Sequence, residues 1–224
     1  PEVRAGQQGA NGELLPEPLL DVSVTNGGER GMLGMAVASI HNTTYVFLYF
    51  TLSSAREDGK DDCPQYWRCK PGNDPTVGNR VYRYELINNT LVNPKLLLDL
   101  PAWPGPTHNG GSIKIGPDNN LYVPIGDVHG QSSEESLTKA QNFKNGPNPD
   151  GRSGILRITQ DGNPVNGSKG ILGNYHPLYF YYAYGIRNSF GIDFDPVTGY
   201  LWDTENGPSF GDEINLVKPG FNSG

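Results

Sequence analysis

Three residues whose side chains can do acid–base and charge chemistry recur along the chain at one constant interval. Glu29, His108 and Arg187 are each separated from the next by 79 positions. They supply a carboxylate, an imidazole that can exchange a proton near neutral pH, and a guanidinium that can stabilise negative charge. A fold that repeats one unit at this interval would bring the three side chains to equivalent places and so assemble an active site.

The same convergence would also fit a salt-bridge network that only fills the centre of the fold. Neighbouring glycines favour the active-site interpretation, since Gly31 follows the first polar residue and Gly110 and Gly111 follow the second. Glycine lets a ligand approach the backbone closely, whereas a packed network would gain from larger side chains. We therefore expect a ligand site.

Strand-like segments repeat at a similar interval, as an equivalent placement of these residues requires. Glycine-led inner strands begin at Gly34, Gly111 and Gly191, which are 77 and 80 residues apart. Each is followed by a second and a third strand, and the first two repeats have a fourth. The later strands are predicted at residues 45–51, 80–86 and 95–100, then 120–125, 154–158 and 177–184, then 200–204 and 213–217.

This repeat predicts an all-β fold, because a four-stranded antiparallel unit recurring at one period is typical of β-propeller blades. The chain of 224 residues would hold about three blades, and we expect residues 1–224 to form a single domain. Insertions over residues 53–79 and 126–152 explain a period longer than the ~40 to 50 residues of common blades. A β-sandwich is the alternative, but its strands would not share a long period.

Composition restricts the class of partner. The formal net charge is −7, and no run of Lys and Arg is dense enough to bind nucleic acid. No apolar run approaches the roughly 20 residues of a membrane helix. The chain begins at Pro1, which predicts a removed leader, and glycosylation sequons at Asn42, Asn88 and Asn166 fit an exported protein. We expect an extracellular or periplasmic, secreted glycoprotein.

Four motifs in order resemble the soluble glucose/sorbosone dehydrogenases, a family of six-bladed propellers that use pyrroloquinoline quinone (PQQ) and calcium. The similarity runs from about residue 28 to the end of the chain. It implies that the chain is half of a propeller, with the remaining blades supplied by further sequence or by another chain. The motifs are Gly31-Met32-Leu33-Gly34, Thr107-His108-Asn109-Gly110-Gly111 with the hairpin through Asp127, Gly185 to Gly191, and Glu205-Asn206-Gly207-Pro208 with Asp212-Glu213-Ile214-Asn215.

The resemblance also implies a reaction. A quinoprotein of this family oxidises the C1 hydroxyl of an aldose or related sugar, transfers hydride to PQQ and passes electrons to an external acceptor. His108 would remove the hydroxyl proton, Arg187 would stabilise charge on the reduced quinone, and Glu29 would contact the sugar substrate.

Cofactor and metal ligands follow from the same resemblance. Asn188 and Asn206 would hydrogen-bond PQQ. The main-chain carbonyls of Gly207 and Pro208 would bind Ca²⁺, a hard cation that takes oxygen ligands, and Glu213 would hold a structural calcium. Taken singly, Gly207-Pro208 also fits a simple β-turn, and the acidic pair beginning at Asp212 also fits a solvated turn.

Three positions depart from the family pattern, and two of them, Thr107 and Ser112, favour a second hypothesis. Thr107 stands where the glucose enzymes have an acid, Ser112 where they have Arg, and Glu29 where they have Gln. The family's cofactor-clamping Lys and Arg residues belong to later blades. The alternative function is therefore a non-catalytic extracellular β-propeller used for binding or assembly.

Cys63 and Cys69 lie close together in the first insertion. Such a pair fits a disulfide, half of a metal site or two unrelated thiols, and we expect a disulfide because the chain is predicted to be exported. Closing so short a loop would stabilise it on the order of 2 kcal/mol. Alkylation and intact-mass measurement without reductant should detect no free thiol, and two labelled cysteines would contradict the prediction.

Overall fold

The computed structural model of the chain describes residues 2–3, 16–55, 60, 73–128, 148–207 and 209–224. Much of both predicted insertions lies outside these ranges, as do Cys63, Cys69 and Pro208. Within the ranges the regular structure is β-strand apart from a three-residue 3-10 helix, Leu178–Phe180. No helix of the described residues is long and apolar enough to span a membrane.

The strands follow one another in two groups. The first group is β1 (Glu2–Val3), β2 (Leu20–Asp21), β3 (Met32–Ile40), β4 (Thr43–Ser53), β5 (Thr76–Ile87) and β6 (Thr90–Leu100). The second group is β7 (Lys114–Ile115), β8 (Leu121–Ile125), β9 (Gly154–Ile158), β10 (Val165–Ser168), β11 (Tyr181–Tyr184), β12 (Ser189–Phe194), β13 (Leu201–Glu205), β14 (Glu213–Val217) and β15 (Phe221–Asn222).

The first blade is a four-stranded antiparallel sheet in the order β3-β4-β5-β6. Its strand β4 is rich in β-branched and aromatic residues, which suits a strand buried on both faces. His41 and Asn42 join β3 to β4 with φ of 47° and 66°, and Asn88 and Asn89 join β5 to β6 with φ of 49° and 60°. Two-residue loops with positive φ match the right-handed twist of a hairpin.

The second blade has the strand order β7-β8-β9-β11-β15, and the third has the order β12-β13-β14. All neighbours are antiparallel except β11 and β15, which are parallel. The last strand therefore joins the outer edge of the second blade, and the described part of the third blade has three strands. The predicted all-β, blade-by-blade fold is confirmed, whereas a single domain over residues 1–224 stays a prediction.

Two strands of the second blade are shorter than the sequence predicts. The inner strand was expected from Gly111, but Gly110 and Gly111 have φ of 67° and 141°, so pairing starts only at Lys114. The strand expected over residues 177–184 begins with the 3-10 helix instead. Pro177 caps that helix and has no N–H to give to a sheet, and β11 covers only the last four residues.

The hydrophobic core lies between successive blades. Leu121 and Val123 of β8 pack with Phe47 and Tyr49 of the first blade. Tyr122, which points to the opposite face of the same strand, packs with residues of the third blade such as Ile192. Because the second blade is covered on both faces, its strands β8 and β9 are almost continuously buried, and the three blades are held side by side.

Gly34 is a point of close approach between the first and second blades. A Cβ at Gly34 would lie 1.8 Å from the carbonyl oxygen of Gly111, whereas a Cβ at Gly191 would lie 3.2 Å from its nearest neighbour, the hydroxyl of Thr204. Neither glycine needs a positive φ. Replacing Gly34 with Ala should cost about 2 to 3 kcal/mol in the free energy of unfolding, because the blades must separate.

Gly191→Ala is the matched control and should change stability by no more than about 1 kcal/mol. Urea denaturation of both variants measures the difference. Equal losses in the two variants would contradict the close approach of the first two blades.

Candidate active site

The structure brings the equally spaced residues together at one end of the inner strands. The carboxylate of Glu29 accepts a hydrogen bond from the backbone N–H of His108 at 2.7 Å. The side chain of Asn188, next to Arg187 in the chain, donates to the same Glu29 oxygen at 3.3 Å. One carboxylate oxygen therefore links the three segments that lead into the three blades, as the 79-residue spacing predicts.

His108 is held by a second carboxylate that the sequence analysis did not select. Its Nδ1 lies 2.7 Å from Oδ1 of Asp127, and both side chains are buried. Donation of the Nδ1 hydrogen to a carboxylate leaves Nε2 of a neutral imidazole as a proton acceptor. Asp127 stood in the hairpin motif without a role, and its position directly after a buried strand, beside the histidine motif, was the available signal.

Gly126 lets the second and third blades meet beside His108. A Cβ at this position would come within 2.5 Å of the carbonyl oxygens of both His108 and Arg187. The next residue, Asp127, donates its backbone N–H to the Arg187 carbonyl at 2.9 Å. Asp127, whose carboxylate contacts the His108 ring, is therefore also hydrogen-bonded through its backbone to Arg187.

Arg187 is held at both its backbone and its side chain. Its backbone N–H donates to the carboxylate of Glu205, and its guanidinium donates to the carbonyl of Asn206 at 2.9 Å. The backbone N–H of Asn206 donates in turn to the carbonyl of Asn188 at 3.1 Å. The three residues predicted to act on a cofactor, Arg187, Asn188 and Asn206, therefore form one hydrogen-bonded group.

The loop after β13 and the first residue of β14 carry the predicted metal ligands. A cavity of about 220 Å³ is lined by Arg187, Asn206, Gly207 and Glu213, among others. Gly207 donates its backbone N–H to Asp212 at 2.9 Å, and a Cβ at Gly207 would lie 2.1 Å from the carbonyl of Phe210. Pro208 lies outside the described residues. In the part of the chain that the structure describes, no group of three His, Cys, Asp or Glu side chains is arranged to hold a metal.

A buried acid supports the third blade behind this loop. Asp203 is 1% exposed and accepts a hydrogen bond from the hydroxyl of Ser189, the residue after Asn188. Burial raises the pKa of Asp203 to about 6, and the negative charges of Glu205 and Glu213 add to the increase, although the Ser189 hydrogen bond opposes it.

The raised pKa of Asp203 makes a prediction about stability. An aspartate has a pKa of about 3.9 in an unfolded chain, so the folded state holds this proton more tightly. The stabilisation from Asp203 is complete below about pH 4 and is lost as the pH rises to about 6, on the order of 2 to 3 kcal/mol in total. Asp203→Asn removes this dependence, so the difference in free energy of unfolding between variant and wild type should change across that interval. A constant difference from pH 4 to 7 would contradict the prediction.

Comparison with known sequences agrees with the motif resemblance. The sequence model of the family described as glucose/sorbosone dehydrogenase matches residues 5–224. Quinoprotein glucose dehydrogenase B of Acinetobacter calcoaceticus is 30% identical over 207 residues, which are 88% of this chain and 40% of that protein. The chain thus spans less than half of this curated relative.

Comparison with solved structures supports the fold. A putative oxidoreductase (glucose dehydrogenase) of Thermus thermophilus matches 99% of this chain and 57% of its own, with 30% identity and a TM-score of 0.71. The apo form of the soluble aldose sugar dehydrogenase of Escherichia coli matches 99% of this chain and 56% of its own, with 21% identity and a TM-score of 0.65. By sequence and by fold, the chain belongs to the glucose/sorbosone dehydrogenase family.

Proposed function

We propose that this chain is part of a quinoprotein sugar dehydrogenase that oxidises the C1 hydroxyl of an aldose or related sugar, with PQQ as the hydride acceptor. The observation that carries the proposal is the buried His108–Asp127 pair, in which the backbone N–H of Asp127 donates to the carbonyl of Arg187, in a member of this family. The pairing is typical of a general base whose ring is oriented by a carboxylate.

His108 would take the proton of the sugar C1 hydroxyl on Nε2. Asp127 keeps the other ring hydrogen on Nδ1 and stabilises the imidazolium that forms. When bound, PQQ supplies the carbon that accepts hydride from C1. The sugar would lose one hydride and one proton to become a lactone, and its two electrons would go on to an external electron acceptor.

The donor set at the site fits a cofactor whose polar groups are carbonyl and carboxylate oxygens. The guanidinium of Arg187 donates to the main-chain carbonyl of Asn206, whose backbone N–H donates to the carbonyl of Asn188, so three residues whose side chains have N–H donors are joined by one set of contacts. A guanidinium stabilises developing negative charge more strongly than a neutral donor does. We assign Arg187 to charge stabilisation and the two asparagines to cofactor binding.

Calcium belongs to the same proposal. The Gly207 carbonyl, together with that of Pro208, would supply oxygen ligands, and Glu213 would hold a second calcium. Gly207 and Glu213 line one cavity with Arg187, and this shared lining supports the proposal that cation and cofactor bind side by side. A nearby divalent cation would polarise a quinone carbonyl.

Glu29 has two roles in this proposal. One of its oxygens accepts hydrogen bonds from His108 and Asn188, so it orients the base. Its side chain is also exposed, which leaves it accessible to a sugar hydroxyl and keeps substrate contact within the proposal.

We also propose an extracellular or periplasmic location, with glycans at the sequons. Asn42 and Asn88 occupy exposed hairpin turns, and Asn166 is exposed on β10. Exposed turns are accessible acceptor sites for glycosylation. The remaining blades, from further sequence or another chain, would complete the ring.

The test is a dye-linked oxidation assay of the complete protein with PQQ and Ca²⁺ over a panel of aldoses. His108→Ala should lower turnover by ~10² to 10⁴ because the proton acceptor is lost. The variant should still fold and bind quinone, since His108 lies ahead of a strand rather than in the hydrophobic core.

His41→Ala is the matched control, because this histidine also has a positive φ but lies in an exposed turn of the first blade. Its turnover should equal that of the wild type. Unchanged turnover of His108→Ala at saturating PQQ and Ca²⁺ would exclude His108 as the base. Failure of the wild type to oxidise any aldose would favour the non-catalytic propeller.

A further inference from the structure

The loop that carries His108 accepts hydrogen bonds from buried side chains of the first blade. This loop, residues 101–109, starts where β6 ends and leads toward β7. Asn79 of β5 is fully buried and faces both ends of the loop. Its side-chain nitrogen donates to the carbonyl of Pro101 at 3.0 Å and to Oδ1 of Asn109 at 2.9 Å. Both amide hydrogens of one side chain therefore join the two ends of the loop.

The orientation of the Asn79 amide is itself determined by the first blade. Thr51 lies opposite Asn79 in the β4–β5 register and donates its hydroxyl to Oδ1 of Asn79 at 2.7 Å. This hydrogen bond uses the amide oxygen of Asn79, so the amide nitrogen points toward the loop. Both residues are fully buried, where an unmade hydrogen bond would be costly.

Tyr49 makes a second contact of the same kind. It lies two residues before Thr51 on β4, is fully buried, and donates its hydroxyl to the backbone carbonyl of Asn109 at 2.7 Å. The side chain of Asn109 also donates to the carbonyl of Pro106 at 3.0 Å, which closes the turn around His108. Asn109, the residue after the proposed base, therefore forms hydrogen bonds through its backbone carbonyl and through both the oxygen and the nitrogen of its side-chain amide.

These contacts matter because His108 has an unfavourable backbone conformation. Its φ is 59°, in the left-handed region that costs a residue with a Cβ roughly 1 to 2 kcal/mol. Such a conformation persists only where the surroundings impose it. Asp127 orients the ring through Nδ1, but the direction of the Cα–Cβ bond depends on how the loop is held.

We propose that Asn79 and Tyr49, from the middle strands of the first blade, are positioning residues for the reaction of His108 in the second blade. The inference rests on the proposed function, in which His108 is the base. Their hydrogen bonds to the loop go to Pro101 and Asn109, on either side of His108. They act by keeping residues 101–109 in the one conformation that directs Nε2 of His108 toward the substrate.

Two variants of the complete protein test the proposal. Asn79→Asp keeps the shape and the acceptor for Thr51 but replaces the donor nitrogen with an oxygen facing two acceptors. Tyr49→Phe removes only one hydroxyl, so the proposal can still be tested if Asn79→Asp does not fold. Tyr84→Phe is the control, because it makes the same change on β5 in the separate core cluster with Val46 and Leu48.

The readouts distinguish positioning from a merely structural role. In Asn79→Asp, kcat for sugar oxidation should fall about 10- to 100-fold while the KM for sugar and the Kd for PQQ change less than about threefold. Tyr49→Phe should show a smaller fall in kcat, and in both variants the NMR signals of the His108 ring should shift. Tyr84→Phe should match the wild type in kcat and in these signals.

A lower melting temperature with unchanged kcat and unchanged His108 signals would overturn the proposal. The NMR readout does not need activity, so it separates the two hypotheses. If the wild type oxidises no aldose, the proposed function fails, yet a shift of the His108 signals in Tyr49→Phe but not in Tyr84→Phe would still support positioning.

Discussion

One carboxylate oxygen, Oε2 of Glu29, holds together the parts of the molecule on which the proposed chemistry depends. It receives the backbone N–H of His108 and the side-chain amide of Asn188, which belong to different blades. Charge-assisted hydrogen bonds of this kind are stronger than neutral ones, and they set geometry as well as energy. The base and the cofactor-binding group thus share one anchor in the first blade, so a shift of any blade changes the distance between them.

The packing between blades explains why such an anchor can hold. The second blade contributes side chains to a core on each face, with Val123 directed to the first blade and Tyr122 to the third. Interiors of this density resist small displacements. Glycines at the inner ends, such as Gly34 and Gly126, allow main chains to meet where any side chain would separate the blades. The polar residues that precede the inner strands then lie within hydrogen-bonding distance of one another.

The sequence predicts this convergence because a constant interval needs no knowledge of side-chain packing. Glu29, His108 and Arg187 stand out by residue type and by spacing, and in the structure His108 and Asn188, the neighbour of Arg187, donate hydrogen bonds to Glu29. Asp127 escaped the same reasoning because it follows the second strand of its blade instead of preceding the first. Positions that precede an inner strand do not include residues such as Asp127, which follow the strand that pairs with it.

Asn79 was harder to predict for a different physical reason. It lies in a strand, where a polar residue in the sequence gives no sign of whether it faces solvent or a loop of another blade. Its importance comes from hydrogen bonds across 22 and 30 residues of sequence, and no local pattern encodes such contacts. The shortened strand β7 is a related case, since Gly111 lies against Leu33 of the first blade and no local pattern encodes that contact.

The third blade connects the stability of the sheet with the proposed cofactor site. Glu205 and Glu213 lie directly opposite each other in the β13–β14 register, and like charges in that arrangement destabilise a sheet. The backbone N–H of Arg187 and the hydroxyl of Ser223 both donate to Glu205, which stabilises one of the two charges. A calcium ion held by Glu213 would stabilise the other. In this proposal the second, structural cation relieves a repulsion between two strands that lie beside the cofactor site.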